Sequence, residues 1–262
     1  MAVLLDIKEL YDRRDLLWVW SLREIKARYK QTLFGFAWAV FQPMALSLLY
    51  VIVFSYVVRV PSEGIPYPIF VYSAILPWSF FARAIGAGTS SVVANMNLVK
   101  KVYFPRVIFP LAAIATSLVD FLCGLAVFIA MMICYRVPIS PAMGILPALF
   151  MIQLLLTTGV ALGGAAINVA YRDINQMVPL LLQLWMYACP IIYPLSLVPD
   201  WLRPWYTLNP MAVVIDGYRQ VILKGQIPPL GAIGVAAAIA LVAFLIGYLT
   251  FKYMEAQFAD II

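Results

Sequence analysis

Residues 107–135 read VIFPLAAIATSLVDFLCGLAVFIAMMICY and contain a single charged side chain, Asp120. A helix needs about 20 consecutive apolar residues to cross the hydrocarbon core of a bilayer, and this stretch exceeds that length. The rest of the chain has the same character: of 262 residues, 65% are apolar and 11% are charged. Soluble domains carry about 25% charged residues. We therefore predict an all-α membrane protein, and a soluble globular protein is excluded.

Five further apolar runs have the length of a membrane span. They lie at residues 33–58, 68–94, 144–169, 177–198 and 231–251. Together with 107–135 they predict six transmembrane helices in one membrane domain, residues 33–262. The run 68–94 is the least apolar of them, because it holds Arg83 among several Ser, Thr and Gly residues. A central charge costs about 2.5–3.5 kcal/mol on insertion, so we expect this span to face protein or water rather than lipid.

The first 32 residues form a separate amino-terminal segment, and we predict an amphipathic helix over residues 14–30. Its apolar face holds Trp18, Leu22, Ile25 and Tyr29, and its basic face holds Arg23, Lys26 and Lys30. A basic amphipathic helix with aromatic residues on its apolar side is typical of a helix lying along the membrane surface. The alternative is a helix of the soluble type that packs on a partner.

The distribution of basic residues predicts the orientation of the chain. Twelve lie in the amino-terminal segment, the 95–106 and 170–175 loops and the carboxyl-terminal tail, against five on the opposite side. Basic residues are enriched in cytoplasmic loops, so we expect both termini in the cytoplasm. The same distribution argues against a nucleic-acid partner, although the net charge is +6.

The segment 199–230 is too polar to cross the membrane and too apolar for a free loop, which predicts one or two short re-entrant external helices.

Two charged residues lie near the middle of predicted spans, Arg83 in the second and Asp120 in the third. Charges inside a membrane usually pair or mark a transport path. Either the two pair with each other, or one of them lies on a path, or each extends towards an interface or a neighbouring hydroxyl.

In the fourth span, Gly159 and Gly163 form a G-x-x-x-G step, which permits close contact between helices.

Aromatic side chains make up 14% of the sequence, and some of them lie deep within predicted spans. They are Phe34, Trp38 and Phe41 on one face of the first span, and Trp185, Tyr187 and Tyr193 in the fifth. Rings inside a pathway could stack on the faces of sugars. We therefore assign these six residues, with Arg83, to a candidate substrate path. Aromatic residues also form the ordinary belts at membrane interfaces, which is the alternative for each ring.

The sequence lacks the motifs that an enzyme or a motor would need. It has no G-x-x-x-x-G-K-[ST] loop, no H-E-x-x-H, no G-x-S-x-G, and no histidine. We expect no catalytic residue, no metal site and no cofactor in this chain. If it transports uphill, another subunit must supply the energy, and the short basic loop 95–106 is the best candidate for docking that subunit.

Several short stretches resemble one family. They are Arg23-Glu-Ile-Lys-Ala-Arg-Tyr29, Leu76-Pro-Trp-Ser-Phe-Phe81, Asn97-Leu-Val-Lys-Lys-Val-Tyr-Phe-Pro-Arg106, Asn168-Val-Ala-Tyr-Arg-Asp-Ile174, Pro190-Ile-Ile-Tyr-Pro194 and Leu208-Asn-Pro-Met211. In this order they resemble the membrane subunit of ABC exporters for bacterial surface polysaccharides, of the O-antigen and teichoic acid export type.

The resemblance implies a homodimer in the bacterial cytoplasmic (inner) membrane that docks onto two ATPase subunits, which bind ATP and Mg. It implies a lipid-linked polysaccharide as substrate, such as an undecaprenyl-pyrophosphate-linked glycan. The ATPase-coupling residues that it implies are Asn97, Leu98, Lys100, Lys101, Tyr103, Phe104 and Arg106, with a second contact at Tyr171, Arg172 and Asp173. The 14–30 helix resembles the interface helix of that family, and the segment 199–230 resembles the segment that holds its external gate helices.

Three other functions stay open. A permease of the same architecture could export drugs or lipids. A membrane enzyme could act on lipid-linked sugars, although such an enzyme needs convergent acidic or metal-binding residues, and the sequence offers only scattered Asp and Glu. A passive channel is disfavoured by the basic docking loop.

Overall fold

A computed structural model describes residues 14–29, 37–99, 105–256 and 258. Within these ranges all regular structure is helical. The α-helices are α1 (Arg14–Tyr29), α2 (Ala37–Tyr50), α3 (Tyr67–Ala94), α4 (Met96–Val99), α5 (Ile108–Cys134), α6 (Leu146–Ala170), α7 (Ile174–Tyr187), α8 (Arg203–Leu208), α9 (Pro210–Leu223) and α10 (Leu230–Glu255). Helix α2 continues as a π-helix, Val51–Val57, and short 3₁₀ helices occupy Pro141–Ile145 and Leu195–Leu197.

Five of the six predicted spans are confirmed as helices that are long and apolar enough to cross a membrane. They are Ala37–Val57, Tyr67–Ala94, Ile108–Cys134, Pro141–Ala170 and Leu230–Glu255. The all-α membrane class predicted from composition is therefore confirmed.

The predicted fifth span, residues 177–198, is wrong as a continuous helix. Helix α7 ends at Tyr187 after 14 residues, which is about 21 Å of helix against a hydrocarbon core of about 30 Å. Residues 188–194 are not helical. Pro190 cannot donate a backbone hydrogen bond, and it disfavours helical geometry at the residue before it. The chain therefore leaves the helix two residues before this proline.

Helix α3 forms the centre of the molecule. Within its most apolar part, 78% of the residues are buried inside the protein, against 17% for α10 and 22% for α5. It packs against α5 on one side and α6 on another. The expectation that this span faces protein rather than lipid is confirmed, and the protein shelters its polar residues.

Helices α6 and α10 approach each other closely at glycines. A Cβ atom added to Gly159 would lie 2.5 Å from the Cα atom of Phe244, and one added to Gly163 would lie 3.4 Å from the Cα atom of Gly247. At Gly159 an added side chain would overlap the backbone of α10, whereas at Gly163 it would lie in contact with that backbone. The close helix contact predicted from the G-x-x-x-G step is confirmed, with α10 as its partner.

The amino-terminal helix packs on the start of α5. The ring of Trp20 meets the ring of Phe109 edge-on, with 5.1 Å between centroids. Trp18 points away from the protein and is 67% exposed, so this indole is free to enter an interface. The predicted helix is confirmed, whereas its position on the membrane surface stays a prediction.

The segment between α7 and α10 folds into two short helices, α8 and α9, as predicted for residues 199–230. Most of α9 is buried, including Met211, Val214 and Ile215. Asn209 caps its amino terminus, since its side-chain oxygen accepts hydrogen bonds from the backbone N–H groups of Met211 and Ala212. Helices α8 and α9 are therefore packed against the rest of the protein rather than forming a free loop, and we call them the cover.

Candidate functional site

The non-helical stretch 188–194, which we call the α7 break, is held by one buried arginine of α9. Arg219 is 2% exposed. Its guanidinium donates to the carbonyl oxygens of Pro190, Ile191 and Tyr193, the last at 3.2 Å. Arginine is suited to this position because its planar head carries five N–H donors in a fixed fork. Buried backbone carbonyl groups need hydrogen-bond partners, and Arg219 supplies them here.

The same arginine also joins α9 to the start of α3. Its Nε donates to the carbonyl oxygen of Phe70 at 3.3 Å. Its guanidinium carbon lies 3.7 Å from the centre of the Phe70 ring, which is a cation–π contact. Arg219 therefore connects α9, α3 and the α7 break at one point.

A second set of hydrogen bonds joins the end of α7 to α8 and α9. The indole N–H of Trp185 donates to Oδ1 of Asn209 at 3.0 Å, and Nδ2 of Asn209 donates to the carbonyl of Ala188 at 3.1 Å. The hydroxyls of Tyr193 and Tyr206 lie 2.6 Å apart. Trp185 and Tyr193, which the sequence assigned to a substrate path, thus make structural contacts around the break.

A polar cavity of about 340 Å³ lies beside these contacts, with Glu63, Asp216 and Arg219 in its lining. A carboxylate oxygen of Glu63 lies 2.5 Å from Nζ of Lys224, and Ser196 donates to the other carboxylate oxygen at 2.6 Å. These hydrogen bonds, the one from Lys224 first, lower the pKa of the Glu63 carboxyl. The loop before α3 is thereby fastened to the end of α9.

The charges predicted within the second and third spans form an ion pair. Nη1 of Arg83 lies 3.2 Å from Oδ2 of Asp120. Asp120 is buried, whereas Arg83 is partly exposed and lines a cavity of about 210 Å³ between α2, α3 and the end of α7. Gln42 and Met186 contribute to that cavity. Of the alternatives for these two charges, the structure therefore supports a direct pair of Arg83 with Asp120. One edge of the Arg83 guanidinium is open to the cavity.

Three aromatic residues of the predicted path are exposed on α2 and α7. Trp38 and Phe41 meet edge-on with 5.5 Å between ring centroids, and Tyr187 is 58% exposed. Phe34 lies outside the described residues. The exposed face of α7 also carries two side-chain amides, Gln176 and Gln183, beside exposed leucines such as Leu180 and Leu184. Amides are costly in lipid, so this face is suited to protein or water.

The residues predicted to couple to an ATPase fall into two groups. Tyr171, Arg172 and Asp173 are exposed directly before α7, and Asn97 is exposed in α4. Leu98 is partly buried, and Arg106 is engaged internally, because its backbone N–H donates to Glu255 at 2.8 Å. Lys100, Lys101, Tyr103 and Phe104 lie outside the described residues.

Sequence reasoning missed the central role of Arg219. By sequence, Arg219 and Asp216 only add to the polarity of the segment 199–230. The available signal was an arginine within the apolar run 211–223 combined with Pro190 and Pro194, which release carbonyl oxygens inside a predicted span. The Glu63–Lys224 contact carried no such signal, because 160 residues separate its partners.

The ABC-2 type transporter family matches residues 15–223. The chain is 31% identical to the O-antigen export system permease protein RfbA of Myxococcus xanthus, over 97% of this chain and 98% of that protein. It is 30% identical to the protein of the same name from Klebsiella pneumoniae, over 95% of each chain. It is 22% identical to the polysialic acid transport protein KpsM of Escherichia coli, over 89% of this chain and 91% of that protein.

Proposed function

Because the chain belongs to the ABC-2 type transporter family, we propose that it is the permease subunit of an ATP-driven exporter of a lipid-linked polysaccharide. The observation that carries this proposal is the match, over nearly the whole of both chains, with permeases named for O-antigen export. The architecture agrees, since the described residues include five long apolar helices, and two of these helices carry the Arg83–Asp120 ion pair. The role is transport rather than catalysis.

Energy would come from a separate ATPase subunit. The permease lacks a nucleotide-binding loop, and its exposed residues Tyr171, Arg172 and Asp173 offer a docking surface together with the 95–106 loop. Helix α7 begins immediately after this surface and ends at the α7 break. We expect α7, which is about 21 Å long, to transmit movement from the docked ATPase to Arg219 and α9.

The polymer would pass between two copies of the chain. The face of α7 that bears Gln176, Gln183 and Tyr187 is exposed in one copy, and its amides favour a second copy or a wet path over lipid. Trp38 and Phe41 on α2 offer further rings. Ring stacking on sugar faces gives weak, repeated contacts that tolerate sliding. In this arrangement both termini are cytoplasmic and the cover of α8 and α9 lies on the outer side.

Export in a bacterium that lacks its own O-antigen permease tests the proposal. The chain is expressed with its cognate ATPase, and surface glycan is measured by gel and antibody. We expect the wild-type chain to restore surface glycan, and Tyr187→Ala and Trp38→Ala to reduce it at equal protein level. Tyr253→Ala is the matched control, since Tyr253 is 75% exposed on α10. No surface glycan with wild type, despite a correctly inserted pair of subunits, would contradict the proposal.

Coupling is tested by co-purification of the ATPase. We expect Arg172→Glu, and the double reversal Lys100→Glu with Lys101→Glu, to reduce ATPase recovery while membrane insertion is unchanged. Arg136→Glu is the control, because Arg136 is exposed at the opposite end of the helices. Equal ATPase recovery with all the variants would remove both segments from the docking surface.

A further inference from the structure

A large apolar cleft has no residue of α2 or α7 in its lining. It has a volume of about 410 Å³ and lies where α5 and α6 diverge, with α3 behind it and α9 at one end. Phe121 of α5 and Phe150 of α6 stack in its wall, with 5.5 Å between ring centroids. In the proposed topology this is the outer half of the membrane. The cleft is distinct from the polar cavity and from the proposed polymer path.

The lining offers no polar group to a ligand. Only Ser73 and Tyr218 among the lining residues carry a side-chain oxygen. Ser73 donates to the carbonyl of Phe70 at 2.7 Å, and Tyr218 donates to Oε1 of Gln153 at 3.2 Å. A water molecule needs two to four polar partners to be held in a cavity, and these oxygens are already engaged within the protein. The cleft is therefore suited to hydrocarbon.

The surroundings of the cleft indicate which hydrocarbon is available. Its mouth is bordered by the outward face of α5, where the exposed residues are Leu122, Ala126, Ile129, Ala130, Ile133 and Cys134. This face carries no charge and no amide, unlike the exposed face of α7. A surface of this kind on a membrane-spanning helix is in contact with lipid chains. In the proposed function the second copy contacts α2 and α7, which leaves bilayer lipid as the partner at the mouth of the cleft.

We propose that the cleft is a binding site for one acyl chain of a bilayer phospholipid. An apolar cavity of about 150 Å³ is large enough to bind benzene, and this cleft is well over twice that size. A chain seated in it would touch Tyr218 and Ile222 of α9. The bound lipid would support the helix that carries Arg219. The proposal does not depend on which cargo is exported.

Native mass spectrometry of the full-length chain tests the site. The protein is reconstituted in dioleoylphosphatidylcholine vesicles, extracted into a mild detergent, and scored for retained phospholipid per chain. We expect one retained lipid per wild-type chain. Leu122→Trp, at the half-exposed mouth, should lower the retained fraction about tenfold, which lies within the range of about 5- to 160-fold expected for overpacking of an apolar site. Ile133→Trp is the control on the same helix, because Ile133 is 73% exposed and outside the cleft.

The outcomes separate the possible occupants. Equal lipid retention by the Leu122 and Ile133 variants, or no retained lipid on the wild type, overturns the proposal. A polyprenyl phosphate that displaces dioleoylphosphatidylcholine from the wild type but not from Leu122→Trp identifies the cleft as a carrier-lipid site and also overturns it. Leu122→Ala leaves the mouth open and should retain lipid as the wild type does, which excludes a general effect of substitution at this position.

Discussion

Replacement of Arg219 by methionine should open the α7 break. The substitution keeps an apolar side chain of similar length but leaves the carbonyl oxygens of Pro190, Ile191 and Tyr193 without their donor. A buried acceptor that loses its partner costs about 1–3 kcal/mol. Even the lower value gives about 3 kcal/mol for three carbonyls, which corresponds to about a 100-fold shift towards the open state.

A native thiol reports on this opening. Cys189 lies in the break and is 1% exposed, so a membrane-impermeant maleimide reaches it only when the segment moves. With Cys123 and Cys134 replaced by serine, we expect Arg219→Met to increase the labelling rate of Cys189 about 100-fold. Arg219→Lys should give an intermediate rate, because an ammonium group has three donors and no planar fork.

Arg203→Met is the matched control for this experiment. Arg203 lies at the start of α8, is half exposed, and pairs with Asp200 at 2.8 Å. Its loss removes a positive charge near the break without removing a donor to residues 190–193. The control should label at the wild-type rate. An unchanged labelling rate for Arg219→Met, in protein that inserts normally, would refute the claim that Arg219 holds the break.

Three further predictions follow from the ion pairs and from the glycine contact. Asp120→Asn should lower the free energy of unfolding by about 1.5–3 kcal/mol, because it weakens the hydrogen-bonded ion pair of the partly exposed Arg83, and the added change Arg83→Met should recover part of the loss. The ionised Glu63 carboxylate should keep its loop closed above the ordinary carboxyl pKa of about 4.3, and the loop should open as the pH falls through the lowered pKa of the folded state. Limited proteolysis between pH 3 and 6 measures this opening. Glu63→Gln should abolish the pH dependence. Gly159→Ala should destabilise the protein by about 1–3 kcal/mol in thermal unfolding, whereas Gly144→Ala, whose new Cβ meets nothing within 4 Å, should not.

Length and hydropathy were sufficient to predict the long helices. The sequence of Ile108–Cys134 is apolar over more residues than a bilayer requires, so one physical criterion decides its fold. The burial of α3 also followed from its composition, since a span with a central arginine and several hydroxyls cannot face lipid cheaply. The bounds of these long helices were predicted to within a few residues.

The fifth span shows where that criterion fails. Hydropathy averages over residues 177–198 and does not record where the backbone leaves the helix. The break depends on Pro190 together with a donor, Arg219, that lies 26 to 29 residues further along the chain. Such a contact is a property of tertiary structure, and the local pattern holds no signal for its partner.

For the candidate site too, some contacts could be predicted from the sequence and others could not. The pairing of Arg83 with Asp120 could be proposed, because two charges in neighbouring spans have few other ways to lower their cost. The aromatic residues could not be separated by sequence. Trp185 is engaged with Asn209, whereas Tyr187, two residues later, is exposed. Which face of a short helix packs depends on neighbours that a pattern of rings does not specify.

Reconstituted transport tests the central claim most directly. The chain and its ATPase are inserted together into vesicles with a lipid-linked glycan on the outer, cytoplasm-equivalent side, and the lumen contains a glycan hydrolase. We predict that the glycan is cleaved only when ATP and both subunits are present, and that the permease without the ATPase hydrolyses no ATP. Cleavage that proceeds without the ATPase, or nucleotide hydrolysis by the purified permease itself, would contradict a permease driven by a separate motor.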